Sequence, residues 1–152
     1  MLQDTVAIYN HVSKTYKEEI ILLGHSLGTG ILINLVHHLN LQNKIILDAP
    51  FDNLTNVIKS HFLTNYIWYP FIDYFKIGED LDFTPDKQLI NRSNKILIFH
   101  SITDKIIPFK LSLNLINENV KFIVLYQCHV TNYKSKRFTC LIDSFIQAST
   151  VQ

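Results

Sequence analysis

Two hydrophobic periods alternate along this chain. Val6, Tyr9 and Val12 recur at helical spacing within residues 2–15, and Ile20-Ile21-Leu22-Leu23 follows as a short, unbroken apolar run. A run of that length with no polar position predicts a strand covered on both faces. Helical spacing returns over 29–39 with Ile31-Leu32-Ile33-Asn34-Leu35-Val36, and Lys44-Ile45-Ile46-Leu47 is the next strand, ended by Asp48-Ala49-Pro50. Lys95-Ile96-Leu97-Ile98-Phe99 predicts a third strand, and a helix over 109–117 follows Pro108. Val120 to Tyr126 predicts the last strand. A closing helix over 134–147 carries Phe138, Leu141, Ile142 and Phe145 on one face. Strands alternating with helices predict an α/β fold, a parallel sheet with helices on both faces.

Residues 51–84 break that rhythm. The stretch is long for a strand-to-helix connection and dense in aromatics, from Phe51 through Phe62, Tyr66, Trp68, Tyr69, Phe71, Tyr74 and Phe75 to Phe83. Two readings stand side by side: a cap over a site at the sheet edge, or a small helical core.

Composition narrows the choices. The 152 residues predict one domain, and 47% apolar content is enough for a sizeable core. A net charge of +1 with scattered Lys and Arg gives no footprint for nucleic acid. The two cysteines, Cys128 and Cys140, are too few for a disulfide scaffold. No Cys/His cluster has metal-ligand spacing, so neither metal nor cofactor is expected. There is no signal-peptide pattern at the start. The most apolar long stretch, Phe62 to Ile77, is interrupted by Asn65, Pro70 and Asp73, short of a membrane span.

The chemistry enters at Gly24-His25-Ser26-Leu27-Gly28, directly after the first apolar strand. G-x-S-x-G between a strand and a helix is a nucleophile elbow: a sharp turn lifts the serine hydroxyl above the sheet. The flanking glycines are expected to let the backbone and the following helix approach closely. The Leu27 backbone N–H, at the helix start, is one natural oxyanion donor.

A serine nucleophile needs a base, and the base an orienting acid, in the chain order Ser, Asp, His. Asp104 lies five residues past Phe99 and His129 three past Tyr126, both at the C-terminal edge of the sheet with Ser26. Asp48, which ends the second strand, competes as the acid; its expected role is instead to order the start of the 51–84 insertion. His25 is too close in the chain to serve as base and is expected to pack or hydrogen-bond locally. His37 and His38 fall far from the active end of their helix, His61 falls in the insertion, and His100 is expected to support the acid loop.

Further residues carry a resemblance. Gly24-His25-Ser26-Leu27-Gly28-Thr29-Gly30, Asn34-Leu35-Val36, Ala49-Pro50-Phe51-Asp52-Asn53, Lys59-Ser60-His61 and Ile107-Pro108-Phe109 resemble the alpha/beta-hydrolase domain-containing protein 12 family, from about Asp4 to Phe145. The resemblance implies a serine lipase acting on monoacylglycerols and lysophosphatidylserine, with Ser26, Asp104 and His129 as its triad. It also implies an endoplasmic reticulum membrane setting, with the aromatic insertion touching the membrane surface and Trp68, Phe71 and Tyr74 against the substrate. The segment between Asp82 and Asn91 departs from the family pattern. Nineteen residues precede Ile20, room for one helix, whereas the family fold has four strands before the elbow strand. The expectation is therefore a truncated alpha/beta-hydrolase fold, with residues 1–152 as a partial domain and the C-terminal half of the enzyme. Its elbow strand would form an apolar edge. One absent oxyanion donor would lower the rate by ~10²–10³. A silent protein that binds or scaffolds lipid is the alternative.

Overall fold

The computed structural model describes residues 2–60, 85, 93–129 and 131–148. Four strands form one parallel sheet: β1 (Leu22–His25), β2 (Ile45–Asp48), β3 (Ile96–Ser101) and β4 (Val120–Leu125), in the order β1-β2-β3-β4. The register pairs Leu22 with Ile45, Ile45 with Ile96 and Ile96 with Val120. Around the sheet lie α1 (Leu2–Thr15), α2 (Leu27–Leu39), α3 (Leu54–Ser60), α4 (Phe109–Leu113) and α5 (Lys136–Gln147), with a 3₁₀ turn at Asn132–Lys134.

Both sheet faces are buried, as the continuous apolar runs require. On one face Ile45, Leu47, Ile96 and Ile98 pack with Leu32, Ile33 and Val36 of α2 and with Leu115. On the other face Ile46, Leu97, Phe99, Ile123 and Leu125 meet Phe138, with Leu141, Ile142 and Phe145 of α5 alongside. Residues Ile45 to Leu47 are fully enclosed. Burying a Leu or Ile side chain contributes about 1.5–3 kcal/mol, so the two central strands anchor the edge from which the site projects.

Element bounds differ from the sequence expectation for identifiable reasons. β1 begins two residues later, because its ladder is fixed by β2: the Leu22 N–H donates to the Lys44 carbonyl and the Ser26 N–H to that of Asp48. Of the expected apolar edge, Ile21 and Leu22 pack into the two cores, and Leu23 is the exposed residue. Helix α2 starts at Leu27 rather than residue 29, since the reversal takes a single residue. Helix α4 stops at Leu113, short of 117, where Asn114 turns its amide onto Asp52, 2.7 Å away. Phe51, the first aromatic of the 51–84 stretch, is core: it packs with Ile107 and Leu111. The rest of the expected cap, residues 61–84 with Trp68, Phe71 and Tyr74, lies outside the described residues. Among the described residues no helix is long and apolar enough to cross a membrane.

Candidate active site

Ser26 sits at the one-residue hinge between β1 and α2, with φ 52° and ψ −125°. Positive φ is unfavourable for a residue with a Cβ and costs on the order of 1–3 kcal/mol. Neighbouring bonds hold it there: its N–H reaches Asp48, while its carbonyl accepts from the Thr29 N–H at 2.9 Å and the Thr29 hydroxyl at 2.6 Å. The two elbow glycines are not equivalent. A Cβ on Gly24 would lie 2.8 Å from the Gly28 carbonyl oxygen and 2.9 Å from the Thr29 Cα, whereas among the described residues one on Gly28 would meet nothing within 4 Å. Among the described residues the expected close approach is real at Gly24 and absent at Gly28.

Three side chains from separate strand ends converge. The Ser26 Oγ lies 2.9 Å from His129 Nε2, and His129 Nδ1 lies 2.6 Å from Asp104 Oδ2. An ionised carboxylate only accepts, so Nδ1 carries the ring proton and Nε2 offers its lone pair to the serine hydroxyl. Asp104 is fully enclosed at its side chain. Burial alone raises its pKa, but donors outweigh burial and hold the carboxyl well below the usual range. The Ile106 and Ile107 N–H groups donate to Oδ1 at 2.8 and 2.9 Å. His100, wholly buried, donates Nε2–H to the Ile107 carbonyl at 3.0 Å and passes 3.6 Å from Oδ2, near enough to act as a dipole. It supports the acid loop, as expected.

Asp48 departs from its expected role. Among the described residues its side chain binds not the start of the insertion but His25 Nδ1, at 2.9 Å through Oδ2, and the Asn132 amide, at 2.6 Å through Oδ1. Burial pushes its carboxyl above the ordinary value, against those two bonds. The ordering task falls to Asp52, which accepts from the Asn53 N–H and from the amides of Asn56 and Asn114. The sequence reading missed Asn132 and Asp52; the Asp-Asn pair after Pro50-Phe51 was the available turn signal.

The arrangement can pass a proton from a serine hydroxyl to a histidine held by a carboxylate. Leu27, first residue of α2, leaves its N–H outside the intrahelical ladder beside Ser26. Among the described residues, no group of three or more His, Cys, Asp or Glu could hold a metal ion.

Sheet, elbow and strand-end Ser–His–Asp together are those of an alpha/beta hydrolase. An alpha/beta hydrolase enzyme from the metagenome of lagoon sediments at Mar Chica, Morocco, superimposes with a TM-score of 0.68 at 13% identity, covering 97% of this chain and 70% of that one. No family model matches the sequence. Lysophosphatidylserine lipase ABHD12 of Danio rerio is 28% identical over 172 residues, covering 97% of this chain and 45% of the relative. The Xenopus tropicalis ABHD12 is 31% identical over 127 residues, covering 77% and 33%. These matches are those expected of a member of the ABHD12 family. The chain spans less than half the length of these curated relatives.

Proposed function

We propose that this chain carries the serine, histidine and aspartate of a lipid-ester hydrolase of the monoacylglycerol lipase and lysophospholipase type. The observation behind the reading is the unbroken hydrogen-bond chain Ser26–His129–Asp104, at 2.9 and 2.6 Å. Ser26 Oγ attacks the ester carbonyl carbon while His129 Nε2 takes its proton. Asp104 keeps the ring in the Nδ1–H tautomer and offsets the imidazolium charge. The tetrahedral oxyanion forms beside the Leu27 N–H, the proposed donor from this chain. His129 returns the proton to the leaving alcohol, and an acyl-serine remains. Water, deprotonated by the same nitrogen, releases the fatty acid and restores Ser26.

The lipid class rests on the curated relatives, which are lysophosphatidylserine lipases. A membrane-associated setting, in the endoplasmic reticulum, is proposed on the family resemblance alone.

A fluorophosphonate probe followed by peptide mass spectrometry tests the reading. The expected adduct is on Ser26, with parallel loss of labelling and of monoacylglycerol and lysophosphatidylserine hydrolysis in Ser26→Ala. Hydrolysis that persists in Ser26→Ala refutes the nucleophile. Lipid binding without labelling or turnover favours the silent, lipid-binding alternative.

A further inference from the structure

A second His–Asp pair lies against the first. The His25 and His129 rings are 5.1 Å apart between centroids and tilted by 43°. The His25 side chain is 40% exposed, so solvent was an open alternative for it; instead its Nδ1 is fixed on Asp48, whose side chain is 8% exposed. Both Asp48 oxygens are engaged, Oδ2 by His25 and Oδ1 by Asn132, three residues beyond His129. The Asp48 carbonyl also receives the Ser26 N–H. One residue at the end of β2 thus ties together the ring beside the base, the segment that carries the base, and the backbone of the nucleophile.

We propose that His25 and Asp48 form a positioning pair that fixes the ring of His129 and supports it when it takes up the serine proton. This deepens the hydrolase reading above and rests on it for its catalytic consequence. His25 offers Asp48 its Nδ1–H and lays its ring beside His129. Asp48 then sets a second carboxylate behind His25, near enough to His129 for their charges to interact. Among the described residues, the groups facing His129 come from three strand ends: His25 and Ser26 at the elbow, Asp48 from β2, and Asp104 from β3 with His100 behind it. Among the described residues, a cation on His129 meets two carboxylates, Asp104 and Asp48.

Asp48→Asn and His25→Asn separate the two parts of the role. Asp48→Asn keeps the shape and removes the charge. Its expected effect is a fall of about tenfold in the rate of fluorophosphonate labelling and in kcat, with KM unchanged and the acid limb of the pH profile moved to lower pH. His25→Asn keeps an N–H for Asp48 and removes the ring; it is expected to lower kcat about threefold and leave the acid limb in place. A purely structural role scales the whole profile without moving the limb, and that result overturns the proposal. Histidine ring NMR on the same proteins reads His129 directly and needs no turnover. Its titration is expected to move to lower pH in Asp48→Asn and to stay in place in His25→Asn. An unmoved His129 titration in a folded Asp48→Asn protein also overturns the proposal. If the wild-type chain is never labelled, the hydrolase reading fails, and the NMR titration still decides this one.

Discussion

Replacing Gly24 and Gly28 by alanine, one at a time, asks the elbow to distinguish two residues that its motif treats alike. At Gly24 the new methyl would sit 2.8 Å from one backbone carbonyl oxygen and 2.9 Å from one Cα, both in the first turn of α2. Backbone cannot rotate aside as a long side chain can, so strand and helix must separate by several tenths of an ångström. Overpacking of this kind costs typically about 1–3 kcal/mol. For a domain of this size each kcal/mol lowers Tm by about 2–4 °C, so the expected drop is about 2–12 °C. The same separation carries Ser26 away from His129, and a displacement of that order reduces reactivity by up to about a hundredfold. At Gly28 the methyl enters open space inside a helix, where alanine is better than glycine by about 1 kcal/mol. Calorimetry and the fluorophosphonate labelling rate, measured on both variants, are sufficient. The expected order of stability is Gly28→Ala at or above wild type and Gly24→Ala clearly below. Equal stability of the two variants, or a Gly24→Ala protein labelled at the wild-type rate, refutes the close-approach account.

Three further outcomes follow from the same geometry. Ser26→Ala, His129→Ala and the double variant should lose nearly the same turnover, since such residues act as a unit; additive losses in ester hydrolysis assays would separate them. Asp104 has a folded pKa below its unfolded value, so its stabilising contribution is present above pH ~4 and fades as pH falls below that. Asp104→Asn should therefore cost more stability in urea denaturation at pH 7 than at pH 3, and an equal loss at both would contradict the sign. Asp52→Ala strips an acceptor from the Asn53 N–H and from two amides, and should destabilise by about 2–3 kcal/mol; a loss under ~0.5 kcal/mol would mean those donors find water instead.

Much of this was legible before any coordinates. The unbroken apolar runs Ile45–Leu47 and Ile96–Phe99 predict the strands that are covered on both faces, the run Ile20–Leu23 predicts an edge strand that begins at Leu22 and leaves Leu23 exposed, and chain order alone selects Asp104 and His129 as partners for Ser26. What stayed hidden depends on register. Whether β1 ends at Leu23 or His25 is decided by its hydrogen bonds to Lys44 and Asp48, which no local preference encodes. The bonds of Asp48 to His25 and Asn132 join positions 23 and 84 residues apart, and nothing in the spacing announces them. The equal status of the two glycines in the motif likewise hid that only Gly24 faces backbone.

The order of the sheet puts the strands that lead to Ser26 and His129, β1 and β4, on opposite margins of the described sheet. Three inter-strand steps of about 4.8 Å separate those strands by roughly 14 Å, far beyond the reach of a serine hydroxyl and an imidazole. The segment after β4 must therefore arch back like a span across the ends of β3 and β2. Its landing point is the Asn132 amide on Asp48, 2.6 Å away at the tip of β2. Strand β2 supplies neither the serine, the histidine nor Asp104, yet it is the pier on which the arch comes to rest.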